Sequence, residues 1–327
     1  MTRAVALVCV ATIALAACGT VSDRAQDRSL RALATPEPKP GEGLDFGDPT
    51  KQCERDPYRS LPAATLPAPG HMPRGTPMRR IQREGKLRAG VDQNSLGLGY
   101  YNPNTGRTEG FDIDLAREIA RAIFGSPDDL RYVGLSTEQR NTAITKGQVD
   151  VVASAYSVNC ERRTRMLFSS IYNLASQRLL VPLDSKITGL KDPRLRGQRV
   201  CATRASTSLQ KLLRESSGAK ALSVELRSDC LVALQEGRAA AITADDTILL
   251  GFKRQDPLTK IVGPPIEQEH YGIAVNQDEP ELVRFVNGVL RRLRRNGCLK
   301  AMRDHWLSEP EVRVGDRAYE RCTRGRR

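Results

Sequence analysis

From about residue 81 to residue 307, short apolar runs rich in β-branched residues alternate with stretches whose apolar residues recur every three to four positions. Leu87 to Val91 is the first such run and ends at Asp92. In GFDIDLAREIARAIFG, Phe111, Leu115, Ile119 and Ile123 repeat at helical spacing and predict a helix, with Asp112 as a cap and nothing more. Ser136 and Gln139 form a capping-box pattern, the helix they open ends at Gly147, and Val149 to Ala153 reads as a strand covered on both faces. Strands alternating with amphipathic helices predict an α/β fold built on parallel strands.

The chain also echoes itself. AITKGQVDVV from Ala143 matches ALQEGRAAAI from Ala233 in a helix end, a glycine and a following strand, and the run from Gly85 to Asp92 is echoed from Gly197 to Arg204. Two lobes of like construction would each place polar loops at the carboxyl ends of parallel strands, where open α/β sheets bind ligands. One set of loops offers Asp92, Ser157, Asn159 and Arg162, with Arg140 at a helix start; the other offers Ser206, Thr207, Ser208, Asp245 and Asp246. A cleft holding both guanidiniums and carboxylates suits a zwitterion. The junction DVVASAYSVNCERR is the sharpest part of the pattern, because a strand end, two small polar residues and an arginine make a carboxylate site. From spacing alone, Arg162 and Arg163 could equally solvate a helix start.

Outside this body the chain changes character. Arg3, an apolar run from Ala4 to Ala17 and the tetrapeptide Leu15-Ala16-Ala17-Cys18 resemble a bacterial lipoprotein signal, too short to span roughly 30 Å of hydrocarbon as a lasting helix. Residues 1–17 read as a signal peptide and Cys18 as the lipidated mature N-terminus. Residues 18–80 are rich in proline, glycine and charge and read as an extended tether that cannot bury a core, and 309–327 as a basic tail. The formal net charge is +13, yet basic residues are scattered and aromatics make up only 5%, too few for a base-stacking platform, so nucleic acid is not expected as a partner.

Removing the signal and lipidating Cys18 leaves Cys53, Cys160, Cys201, Cys230, Cys298 and Cys322, an even set in an oxidising compartment. Sequence permits any pairing; Cys201 with Cys230 is preferred because both lie in one compact segment. Cys298 with Cys322 would pin the tail, and Cys53 with Cys160 would tie the N-terminal arm beside the site. No CxxC spacing points to a metal, and no cofactor is called for.

GFDIDLAREIA, DVVASAYSVNCERR followed by LFSSIY, and GRAAAITADDTILL resemble, in that order, segments of the extracytoplasmic solute-binding proteins of polar amino-acid ABC importers, family 3. The likeness runs from about Lys86 to Trp306 and is closest to actinobacterial glutamine- or glutamate-binding lipoproteins. It implies a two-lobed periplasmic-binding-protein fold of type II, with two crossing strands as hinge and one amino acid in the interlobe cleft. The expected lobes are residues 81–182 with 270–308, and 184–266, joined by strands at Ser176 to Pro182 and Tyr271 to Val275. By the same resemblance Arg162 and Ser157 take the ligand α-carboxylate, together with the turn carrying Ser206 and Thr207. Asp245 receives the ammonium, and Asp92 adds a second acceptor. Ala155 and Ala205 stand where the family usually has glycine. Arg140 would face the ligand side chain and favour glutamate or aspartate over glutamine or asparagine. The resemblance implies a monomer serving ABC permease subunits, or alternatively a membrane sensor. A dehydratase-like enzyme on this fold is a further alternative, with Glu138 and Glu161 as its nearest general acids.

Overall fold

The computed structural model describes residues 56–216, 218–309 and 316–323; Cys18, the signal and Cys53 lie outside them. The first lobe opens with helix α1 (Pro77–Glu84) and strand β1 (Leu87–Val91), followed by a small antiparallel sheet of β2 (Asn94–Ser95), β3 (Gly99–Asn102) and β4 (Arg107–Glu109). Helix α2 (Phe111–Phe124), β5 (Leu130–Gly134), α3 (Gln139–Thr145), β6 (Val151–Val152), the short α4 (Cys160–Arg163) and β7 (Met166–Phe168) complete this pass. Strand β8 (Asn173–Pro182) then crosses to the second lobe. That lobe runs through β9 (Arg199–Thr203), α5 (Thr207–Glu215), β10 (Lys220–Val224), α6 (Arg227–Gln235), β11 (Ala241–Asp245), α7 (Asp246–Gln255) and β12 (Thr259–Val262). The chain returns through β13 (Gln268–Tyr271) to β14 (Ala274–Asn276), α8 (Pro280–Arg295), α9 (Cys298–Leu307) and α10 (Asp316–Thr323).

Each lobe is organised by its own sheet. The first has strand order β5-β1-β6-β14-β7, with β1 parallel to both neighbours, and the second has β10-β9-β11-β8-β12, with β9 parallel to both of its neighbours. Central parallel strands are covered on both faces, which is why β1 and β9 are almost wholly buried. The second lobe packs Leu179, Val181, Leu195, Val200, Leu209 and Leu212 into a core of its own. The internal echo is a structural repeat: Gly147 and Gly237 both take positive φ (65° and 68°), and each turn closes with a backbone bond, Gln148 to Ala143 at 2.9 Å and Ala239 to Ala233 at 3.0 Å. Ser136 and Gln139 exchange the hydrogen bonds of a capping box, at 3.0 and 3.3 Å.

The crossing differs from expectation on the return path. Strand β13 pairs antiparallel with the first residues of β8, from Asn173 with Tyr271 to Ser176 with Gln268. After Tyr271 the chain leaves this ribbon, because the Gly272 amide donates to Tyr156 (3.0 Å) and the Ile273 amide to the Ser169 hydroxyl (2.9 Å), and Ala274–Asn276 joins the first sheet.

Residues 56–76 are not a free tether. The Ser60 hydroxyl donates to Phe168 O (2.8 Å), the Ala64 amide to Arg284 O (2.9 Å) and the Gly70 amide to Ile123 O (2.8 Å), while Met72 is buried in the core. A segment without a core of its own can still dock when polar side chains of a neighbouring helix satisfy its backbone, and Asn287 Nδ2 does this for Leu61 O at 2.6 Å. Gly288 permits the approach, since a Cβ there would lie 2.6 Å from Ala64 O. Arg163, expected to be solvated or structural, donates to the carbonyls of Pro57 and Arg59, both at 2.7 Å, and so clasps the arm.

Disulfides join Cys201 to Cys230 and Cys298 to Cys322, the latter holding α10 against α9, where Tyr319 stacks on His305 at 3.7 Å. Cys160 is also disulfide-bonded, and its expected partner Cys53 lies outside the described residues. Among the described residues, no helix is long and apolar enough to cross a membrane.

Candidate functional site

The loops at the carboxyl ends of the parallel strands of both lobes converge on one cleft. From the first lobe it is lined by Thr137, Arg140, Ala155, Ser157 and Arg162. The second lobe contributes Thr203, the run Ser206 to Ser208, Arg227, and Thr243 to Asp245. Of the residues expected at the ligand, Arg140, Ser157, Arg162, Ser206, Thr207 and Asp245 are brought together, with Ala155 beside them; Asp92 is not.

Arg162 sits on the one-turn helix α4, whose start is fixed by Asn159 Oδ1 accepting from the Arg162 amide at 2.9 Å. Its Nη1 donates to Ser157 O (2.7 Å) and its Nη2 to Ala205 O (3.2 Å), so this guanidinium spans the two lobes. Arg140 is 2% exposed and lies 4.0 Å over the Tyr156 ring, donating from Nε to Thr137 O (3.1 Å) and from Nη1 to Ser154 O (2.7 Å). Its Nη2 has no protein partner among the described residues. Burial, with Arg162 and Arg227 nearby, lowers the Arg140 pKa to about 9. Helix α5 begins at Thr207, capped by the Ser206 hydroxyl accepting from the Leu209 amide at 3.0 Å, and the first residues of this helix, Thr207 and Ser208, line the cleft.

Ala155 and Ala205 adopt the left-handed conformation, φ 44° and 57°. Loop geometry is thus kept without the usual glycines, at a cost of about 1–2 kcal/mol each. Asp112 supplies part of the compensation and, contrary to expectation, does not cap its helix, whose N-cap is Gly110: its buried carboxylate accepts from the Ala155 amide (2.8 Å) and from the Tyr172 hydroxyl (2.6 Å), and desolvation raises its pKa to about 6.

Asp245 ends β11 on the opposite wall. The Tyr271 hydroxyl, from the crossing strand β13, donates to it at 2.5 Å, and the Ser208 hydroxyl approaches at 3.5 Å. Desolvation, reinforced by the Glu269 charge, raises the Asp245 pKa to about 7 despite the Tyr271 bond and Arg227.

Asp92, expected as a second acceptor, is not among the residues that line the cleft. Rather than facing the cleft, its carboxylate is consumed by the Asn94 amide (2.8 Å), the Ser95 hydroxyl (2.8 Å) and Arg227 Nη1 (2.9 Å). Sequence reasoning did not single out Arg227, the first residue of α6. Its place at the carboxyl end of β10 is the kind of position that drew attention to Arg162, but nothing in the sequence names Asp92 as its partner. Glu138 and Glu161 also stay outside the lining, in ion pairs with Arg204 (3.4 Å) and Arg165 (3.8 Å).

Two α/β lobes joined by an antiparallel ribbon, with one polar cleft between them, define a two-lobed solute-binding protein. The family model of bacterial extracellular solute-binding proteins, family 3, matches residues 87–309, and the chain belongs to that family. It is 30% identical over 229 residues to the ABC transporter glutamine-binding protein GlnH of Bacillus subtilis, covering 70% of this chain and 84% of that one. It is also 30% identical over 269 residues to the glutamate-binding protein GluB of Corynebacterium glutamicum, covering 78% and 90%. Among solved structures, a mutant arginine-binding protein from T. maritima aligns with TM-score 0.65 at 27% identity, over 71% of this chain and 99% of that one. An ancestral arginine-binding protein bound to glutamine aligns with TM-score 0.63 at 29% identity, over 69% and 99%.

Proposed function

We propose that this protein binds a dicarboxylic amino acid, glutamate or aspartate, in the cleft and delivers it to an ABC importer. The observation that carries this reading is the charge of the lining. Arg140, Arg162 and Arg227 face one lining carboxylate, Asp245, and Arg227 is already paired with Asp92. Two guanidiniums against one carboxylate leave one positive charge, which a dicarboxylic amino acid neutralises and an amide analogue does not. In this reading Arg162, the Ser157 and Ser206 hydroxyls and the first-turn amides of α5, including that of Thr207, take the α-carboxylate. Asp245 takes the ammonium, and Nη2 of Arg140 takes the side-chain carboxylate. The names of the relatives span glutamine, glutamate and arginine, so it is the lining charge, rather than the kinship, that supports this reading.

Calorimetry of the mature protein against the common amino acids tests this. Glutamate and aspartate should bind at least tenfold more tightly than glutamine and asparagine, a charge-assisted contact being worth about 1.5–3 kcal/mol. Tight binding of neutral or cationic amino acids with none of glutamate overturns it. We further propose lipid anchoring through Cys18 on the outer face of the membrane and action as a monomer. A Cys18→Ser protein should appear in the medium instead of the membrane fraction, and a pull-down should recover permease subunits, a single-pass sensor being the outcome that redirects the partner assignment. Neither Glu138 nor Glu161 is among the lining residues, which speaks against the dehydratase alternative.

A further inference from the structure

We infer that the buried Asp92–Arg227 pair is a specificity-determining element: it ties the lobes together and, by neutralising Arg227, sets the charge the cleft offers to a ligand side chain. Arg227 belongs to the second lobe, yet its guanidinium is held by the first: by Asp92 Oδ2 at 2.9 Å, the Ser95 hydroxyl at 3.2 Å and Ser154 O at 3.1 Å. Both side chains are withdrawn from water, at 5% and 8% exposure, so their charges are poorly screened and act on whatever the cleft holds. The two partners are not placed alike. Arg227 is part of the cleft lining, while Asp92 lies behind it, held by the Asn94 amide and the Ser95 hydroxyl. Cancelling the carboxylate therefore exposes a third positive charge to the ligand, and cancelling the guanidinium leaves a negative charge behind the wall. Ser154 adds a link to ligand recognition, because its carbonyl accepts from both Arg227 and Arg140, the arginine proposed to hold the side-chain carboxylate.

This inference rests on the proposed acidic ligand only for the sign of the wild-type preference; its own content is how the pair shifts that preference. The test is the ratio of glutamine to glutamate dissociation constants, measured by calorimetry within each variant so that any general loss of closure cancels. Asp92→Asn should raise the ratio about tenfold over wild type, and Asp92→Asn combined with Arg227→Met should return it to within about threefold of wild type. If Asp92→Asn does not fold, Arg227→Met alone carries the test and should lower the ratio. An unchanged ratio in Asp92→Asn, a rise that the second substitution does not reverse, or a ratio that stays level or climbs in Arg227→Met overturns the inference. A wild-type protein that prefers glutamine would defeat the acidic-ligand reading yet leave these shifts, and this inference, intact.

Discussion

Asp245 ties affinity to pH in a way that can be worked out before any measurement. In the empty cleft its carboxylate faces desolvation and the Glu269 and Asp246 charges, offset by the Tyr271 hydroxyl and Arg227, and its pKa rises from 3.8 to about 7. An acid with a raised folded pKa holds its proton more tightly folded than unfolded. The empty protein therefore loses stability as pH rises from about 4 to about 7, and this contribution is fully present only below that window. Binding runs the other way, because a ligand ammonium requires the ionised carboxylate and the proton must leave first. The apparent dissociation constant should be nearly level above pH ~7 and rise about tenfold per unit below it, so lowering the pH from about 8 to about 6 should weaken binding roughly tenfold. Calorimetry at both pH values, repeated in buffers of different ionisation enthalpy, reads the affinity and the released proton together. Asp245→Asn should bind more weakly throughout, by about 10- to 100-fold, and lose most of this dependence. An affinity level between the two pH values in the wild type, or tighter in acid, refutes the assignment of Asp245 to the ammonium.

Arg162→Lys keeps the charge but loses the planar fork that reaches Ser157 and Ala205 together, and should weaken binding by at least tenfold in the same assay. Ala155→Gly relieves a left-handed alanine at φ 44° against glycine's greater unfolded-state entropy, and should stabilise the empty protein by about 0.5 kcal/mol without weakening binding, as read by thermal and chemical unfolding. Gly251 lies in α7 where a Cβ would meet Leu96 O of the first lobe at 2.4 Å, so Gly251→Ala should hold the lobes apart, with a larger radius of gyration by X-ray scattering and weaker binding. Breaking the Cys201–Cys230 disulfide by double substitution with alanine should cost about 3–4 kcal/mol from its separation of 29 residues, measured by denaturant unfolding.

Periodicity sufficed for the elements and for the kinship of the lobes, because helix and strand spacing are local and the glycine turns at Gly147 and Gly237 carry their signature within ten residues. Strand-end chemistry sufficed for most of the cleft, since carboxyl ends of parallel strands face one side of a sheet: Asp245 ends β11, Ser206 lies in the loop after β9, and Arg162 sits on the short helix that follows the loop after β6. Sequence misjudged residues whose role depends on a distant partner. The arm at 56–76 has the composition of a tether, and partners far along the chain, the buried Asn287 and exposed Arg291 of α8 together with Arg163, turn it into a docked strap. Asp112 and Asp92 both sit in helix-start or strand-end contexts that suggest local or ligand roles. Ala155 and Tyr172 claim the first, and Arg227 claims the second across the lobe boundary. An α/β protein with two echoing lobes and a zwitterion-suited cleft thus follows from local spacing and residue type. Tertiary structure alone decided which charges the cleft still offers, because a charge's effect depends on the partner brought to within about 3 Å of it, and no spacing along the chain encodes that partner.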